Sequence, residues 1–237
     1  MDAMDQSEHI RHSLAHLLAA AVLKQFPKAK LGIGPTIENG FYYDFLLHRT
    51  LTKDDLGELE AGMRNFIDEG LPFSGKRVTP AEARKLFKDQ PFKLDLIKEF
   101  SKEKKPLTVY HTGKIFFDLC RGGHVKHTKE INPDAFKLTH TAAAYWRGDE
   151  ENPQLQRIYG VAFGSKKELE EHLALQKEIE KRDHRKLGER LDLFSFHGVA
   201  PGAAFWHGKG MVIWRELERF MRELLDREGY EEVYTPI

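Results

Sequence analysis

The chain has 237 residues, 41% of them hydrophobic, enough to bury a real core in one or two domains. Lysine plus arginine equals aspartate plus glutamate at 37 each, so no global field draws in nucleic acid and any RNA contact has to use local patches. The longest apolar run, Leu17 to Leu23, is too short for a membrane span or a signal segment, and the single cysteine, Cys120, cannot form an internal disulfide; the expectation is a cytoplasmic protein with no membrane partner.

Ser7 is a candidate cap for a helix from about Glu8 to Gln25, stopped by Pro27, with Ile10, Leu14, Leu17, Leu18 and Ala21 as its apolar stripe. At 100° per residue, His9, His12 and His16 fall on the opposite face beside Ala19, Ala20 and Leu23. Histidines and small apolar residues in place of lysine and glutamate point to a face that lines a cleft. Lys30 to Ile37 and Phe41 to Leu46 read as two strands joined at Glu38-Asn39-Gly40, where Asn-Gly can supply the positive φ angles of a tight hairpin. Phe41, Tyr43 and Phe45 share one face of the second strand. A helix from about Lys53 to Glu69 ends at Gly70, and Thr79-Pro-Ala-Glu opens another with Pro80 in its first turn.

Lys85 to Lys105 is rich in lysine, which by residue type is a solvated face, with contact to phosphates as the alternative. Thr108 to Leu119 is rich in β-formers. If Ile115 to Cys120 is a strand, Phe116, Asp118 and Cys120 point to one side, and the Gly122-Gly123 turn then lets His124 swing back toward the thiol. Another short strand spans Arg157 to Phe163. Ser165 and Glu168 form a capping box that starts a long charged helix to about Gly188. Beyond it, an amphipathic helix from about Met211 to Glu228 and a strand from Tyr230 to Tyr234 lead to Pro236.

His12-Ser-Leu-Ala-His16 and Cys120-Arg-Gly-Gly-His124 are two i, i+4 pairs of residues that act as metal ligands or as proton carriers near neutral pH. A zinc-protease helix needs glutamate directly after the first histidine, and Ser13 stands there, which argues against a metalloprotease. Spacing alone leaves three readings open: a tetrahedral zinc site, a metal-free hydrolytic cleft, or core packing.

Arg11-His-Ser-Leu-Ala-His-Leu-Leu, Ile33-Gly-Pro-Thr-Ile-Glu-Asn-Gly-Phe-Tyr-Tyr-Asp, Asp118-Leu-Cys-Arg-Gly-Gly-His, Ala142-Ala-Ala-Tyr-Trp-Arg-Gly-Asp and Leu155-Gln-Arg-Ile-Tyr-Gly resemble the threonyl-tRNA synthetase family. The resemblance covers almost the whole chain from His9 on. It implies an α+β fold: an antiparallel editing domain with packed helices at residues 1–165, a connecting helix at 166–190, and the opening of a class II catalytic domain at 191–237, where Pro236 resembles the proline of the first class II motif. The family's small N-terminal domain is not recognised before His9. The second and third motifs, which hold ATP, and the ligands of the synthetic zinc would lie beyond Ile237, as would the anticodon-binding domain. The chain alone is therefore expected not to charge tRNA. Position 123 is glycine where the family pattern suggests proline.

The resemblance further implies tRNA(Thr) as partner, a homodimer in the full-length enzyme, and hydrolysis of seryl-tRNA(Thr). A synthetic site that holds threonine discriminates against the loss of one methyl by only about 1 to 3 kcal/mol, so a second sieve is needed. Carried over residue by residue, the site comprises His12, His16, Cys120 and His124, with Asp118 to hold the substrate ammonium, and with Lys93 and Tyr43 at pocket positions. Lys93 or a histidine would activate water, and a water mechanism ranks above a covalent Cys120 nucleophile, which needs a depressed thiol pKa. Editing in this family is thought to need no metal, while ATP, Mg and zinc belong to the catalytic portion. The alternatives are a zinc-dependent free-standing deacylase, with His12, His16, Cys120 and His124 as ligands, and a non-catalytic RNA-binding or dimerising module.

Overall fold

The first helix, α1 (Ala3–Gln25), begins more than a turn before Ser7, which therefore lies inside it and is not its cap. Every residue from Ser13 to Val22 is buried. The predicted apolar stripe is in the core, and so are Ala19 and Ala20 on the opposite face. The helix is enclosed because it packs on a large sheet, on the next long helix and on a strand of a second sheet. The computed structural model describes residues 3–235, which divide into a unit ending at Glu171 and a unit starting at His172.

The large sheet is antiparallel. It contains β1 (Lys30–Leu31), β2 (Thr36–Ile37) and β3 (Gly40–Leu46), followed through β3 by the two later strands Gln154–Ala162 and Phe136–Tyr145. The expected hairpin is present, with Thr36 opposite Phe41 and Ile37 opposite Gly40. Its loop residues do not use positive φ: neither Asn39 nor Gly40 is among the described residues with left-handed backbone. Gly40 is required for another reason, since a Cβ there would stand 2.0 Å from the Gly160 carbonyl oxygen on the neighbouring strand. Phe41, Tyr43 and Phe45 are fully buried on one face, each worth about 1.5–3 kcal/mol of burial.

Helix α2 (Lys53–Asp68) starts with a capping box in which Thr52 and Asp55 satisfy each other's backbone amides, and Gly70 at φ 69° ends it. The second sheet has three antiparallel strands in sequence order: β4 (Phe73–Val78), β5 (Leu107–Thr112) and β6 (Phe116–Leu119). Between β4 and β5 come α3 (Pro80–Leu86), capped by Thr79 and Glu82, and α4 (Pro91–Lys102). The lysine-rich run is not simply a solvated face: α4 is amphipathic and packs on two cores. Ile97 joins Ala83, Phe87, Leu107 and Val109 over the small sheet, while Phe92 joins Trp146 and Leu155 over the large one. Lys93 lies between those anchors.

The sequence reading missed β4 and α4, and it missed β7 (Phe136–Tyr145), whose run of alanines and bulge between Leu138 and His140 break the alternating pattern. It shortened β8 (Gln154–Ala162). Helix α5 (Lys166–Lys181) begins with the predicted box of Ser165 and Glu168 but stops at Arg182, and Asp183 caps a separate short helix, α6 (His184–Arg190). The single helix expected to reach Gly188 is thus two.

In the second unit, β9 (Phe194–Phe196) and β10 (Ala204–Trp206) form an unpredicted antiparallel hairpin that leads into α7 (Gly208–Arg227). Tyr230 to Tyr234 is not a strand, because no partner strand lies alongside it among the described residues. Pro236 lies outside the described residues. Among the described residues no helix is long and apolar enough to cross a membrane.

Candidate active site

The two i, i+4 pairs come from different elements and meet. His12 and His16 descend from α1, whose first residues bring them opposite the loop after β6; Cys120 and His124 come from that loop. One potential ligand atom from each of the four lies within 4.8 Å of the others. Gly122 and Gly123 make the turn possible, at φ 103° and 83°. The second of these angles is closed to proline, whose ring fixes φ near −65°, so Gly123→Pro would force the loop onto another path.

Cys120 Sγ lies 3.2 Å from His124 Nε2 and 3.4 Å from His12 Nε2, and it accepts the Gly122 amide at 3.3 Å. His124 stacks on His12 and lies parallel to Phe73 at a centroid separation of 5.0 Å. Its other nitrogen faces Ser13 Oγ at 3.3 Å. That hydroxyl donates its one proton to the His9 carbonyl and accepts the Val125 amide, so the ring nitrogen must be the donor, which leaves Nε2 as an acceptor for the thiol. Sequence reasoning treated Ser13 only as the residue that excludes a protease motif. The available signal was a serine inside an apolar helix segment between two histidines; its full burial is visible only in the fold.

Burial sets the protonation states. It pushes the Cys120 thiol up to about 11, and it holds His124 down to about 3 with help from His12 and His9. His16, enclosed by His124 and Phe116, is held well below the ordinary imidazole range, and His12 is lowered for the same reason. At neutral pH the cluster is three neutral imidazoles and a thiol.

Beside it lies a second constellation. Lys93 Nζ meets Asp118 Oδ1 at 2.6 Å, the Leu119 amide donates to the same oxygen, and the Tyr43 hydroxyl donates to Asp118 Oδ2 at 2.5 Å. All three side chains are buried. Tyr43 comes from the large sheet, Asp118 from the small sheet and Lys93 from α4, so the chain of bonds ties both sheets to α4. Burial, then the Asp118 charge, keeps the Tyr43 phenol well above its ordinary pKa. Asp118 accepts three donors, which leaves one of its roughly four lone-pair positions unfilled.

His12, His16, Cys120, Asp118 and Lys93 line one cavity of about 740 Å³, whose remaining wall includes Gly34, Pro35, Thr36, Phe100 and Arg121. Tyr43 and His124 stand behind this lining. Ala19 and Ala20, expected beside the histidines as a small pocket, belong to the core and do not line it. Three imidazoles and one thiol are the donor set of a tetrahedral zinc site, and His16 Nδ1 is buried with no hydrogen-bond partner, so the four side chains fit a zinc ion. The same orphaned nitrogen also fits a bound water.

Residues 107–159 match the family model described as the threonyl and alanyl tRNA synthetase second additional domain. That stretch contains β5, β6, the Cys120–His124 loop and β7, but not the helix that carries His12 and His16. The matched stretch is thus a domain of the kind found in threonyl and alanyl tRNA synthetases. Over 230 residues, or 97% of this chain, the sequence is 49% identical to a threonine–tRNA ligase of Dehalococcoides mccartyi. It is 50% identical over 98% of its length to that of Legionella pneumophila, and 46% identical over 98% to that of Treponema pallidum. The chain belongs to the threonyl-tRNA synthetase family, and it spans 36–39% of the length of these relatives.

Proposed function

We propose that the first unit hydrolyses the ester of seryl-tRNA(Thr) and spares threonyl-tRNA(Thr). The observation that carries the reading is the convergence of both i, i+4 pairs with Lys93, Asp118 and Tyr43 around one cavity. In the proposed reaction a water held at the neutral imidazoles of His12 and His16 gives up a proton to one of them, which later returns it to the leaving ribose oxygen, and attacks the seryl carbonyl. The Lys93 ammonium, with donors left over from Asp118, stabilises the developing oxyanion, and the remaining Asp118 lone pair takes the substrate's ammonium. The ribose hydroxyl then leaves with a proton, and serine departs as its carboxylate. Cys120, with its pKa raised to about 11, supports the imidazoles and is not the nucleophile.

A deacylation assay with both charged tRNAs tests this. Wild type should cleave the seryl ester faster, and His12→Ala should abolish cleavage while leaving the fold intact, because His12 is only partly buried. His16 is 2% exposed, so its replacement by alanine is a core truncation and His16→Gln is the informative variant. Equal cleavage of the seryl and threonyl esters, or full activity in His12→Ala, would sink the assignment.

A second reading is favoured by the metal-capable donor set: a zinc-dependent deacylase in which His12, His16, Cys120 and His124 hold the ion. Zinc would supply a Lewis acid and an activated water at that position. Elemental analysis of purified protein separates the two readings: about one zinc per chain supports the second, none supports the first.

The broader role is attachment of threonine to tRNA(Thr) with ATP and Mg by the longer, dimeric, cytoplasmic enzyme whose sequence this chain partly covers. In that layout residues 1–165 edit, 166–190 connect and 191–237 open the class II catalytic domain. Threonine-dependent pyrophosphate exchange by this chain alone should stay at background.

A further inference from the structure

The cavity changes character from floor to mouth. At the buried end the Lys93 and Asp118 charges cancel. At the exposed end Phe100 carries two cations: the Arg121 guanidinium 5.5 Å and the Lys105 ammonium 5.8 Å from its ring centroid. Lys105 is partly neutralised by Glu103 at 2.6 Å. Glu8 lines the same cavity and is engaged by the Thr36 hydroxyl. Arg121 makes no ion pair among the described residues, so among the cations that line the cavity it is the unpaired one, whereas Lys93 and Lys105 are paired. Its place in the chain is also fixed, one residue after Cys120 at the start of the two-glycine turn, so its side chain departs from the reacting centre toward the mouth.

We infer that Arg121, assisted by Lys105, anchors a backbone phosphate of the RNA strand whose aminoacylated end occupies the floor. The inference rests on the hydrolytic reading of the floor and adds to it a strand path out of the cavity. An aminoacyl ester at His12 and Lys93 puts the terminal ribose above them, and the phosphate preceding that ribose is the first anionic group on the way out. A guanidinium matches phosphate bidentately, which an ammonium cannot do, and the Phe100 face restrains the fork without consuming its donors. Such a contact positions the strand and carries no sequence information. Arg121 is therefore a positioning residue.

Two substrates separate the contact from the chemistry: a seryl ester of adenosine, which has no phosphate, and a seryl ester of a short RNA. With Arg121→Ala the KM for the RNA ester should rise about tenfold with kcat retained, and the slope of log affinity against log salt should shrink by about 1. The adenosine ester should be cleaved as by wild type. Arg121→Lys should recover part of the loss, and Lys105→Ala should show a smaller KM effect of the same kind. Equal losses on both esters would mean that Arg121 supports the floor, and unchanged KM on both would mean that it is an ordinary surface residue; either overturns the inference. If wild type cleaves neither ester, the hydrolytic reading fails, and anisotropy with the uncharged RNA still decides the contact. Weaker, less salt-dependent binding by Arg121→Ala supports it, while equal binding, or none by wild type, overturns it.

Discussion

Helices α1 and α7 are of similar length, 23 and 20 residues, and their fates are opposite. From Ser13 to Val22, α1 is buried on every side, although its sequence mixes histidines and alanines into the supposed polar face. In α7 the apolar and charged residues are cleanly segregated, yet Val212, Ile213, Trp214, Leu217, Phe220 and Met221 are all exposed. Clean amphipathicity reports that a helix has a face to bury, while actual burial depends on how many elements are present to cover it. Within its unit α7 has a two-stranded hairpin and a short helix; α1 has two sheets and α2.

The sharpest break of that comparison is electrostatic. Asp118→Ala leaves the Lys93 ammonium buried beside α1 without its partner and should cost about 3–5 kcal/mol in urea unfolding of the full chain. Arg219→Ala removes an exposed pair with Glu216 and Glu223 on α7 and should leave the urea midpoint almost unchanged, because such pairs are screened by solvent. Similar losses from the two would mean that the buried pair is wetter than its geometry says.

Next in size is packing. Leu18→Ala, at a fully buried position of α1, should destabilise by about 2–5 kcal/mol, whereas Leu217→Ala on α7 should stay within about 0.5 kcal/mol. A large effect at Leu217 would show that α7 is covered in solution by a second copy, which sedimentation would then detect.

Gly122→Ala should cost about 1–3 kcal/mol and disturb cleavage, because φ is 103° and the new Cβ would stand 2.6 Å from the Tyr110 hydroxyl. Gly208→Ala at the start of α7 meets nothing within 4 Å and should be tolerated. Thermal melts of the two variants compare them directly.

The smallest effect depends on pH. In the capping box of α2, Arg49 first and then the Thr52 amide hold the Asp55 carboxyl below its ordinary range. A depressed carboxyl stabilises the fold above its unfolded pKa and loses that contribution as pH falls. Asp55→Asn should therefore cost about 1 kcal/mol at pH 7 and progressively less below about pH 4. A difference between variant and wild type that does not narrow in acid would remove the charge from the explanation.

Much was determined by sequence alone. The helix start at Thr79-Pro80, the capping box at Ser165, the alternation of Phe116 and Asp118, and the left-handed turn at Gly122 and Gly123 are local: each follows from a few neighbouring residues, and each is present. The family motifs, being short and ordered, named residues that the structure brings together at one cavity. What sequence could not supply was everything set by distant partners. Spacing could not show that His12 and Cys120 touch, that Lys93 in a lysine-rich run is 1% exposed, or that Ser13 fixes the proton on His124. Nor could it show that Ala19 and Ala20 are core while Leu217 is not. A residue's periodicity records its own backbone, whereas its burial, charge state and hydrogen-bond partners are properties of the elements that fold against it, and those are decided only when two sheets and α2 close around α1 and α4 packs across both sheets.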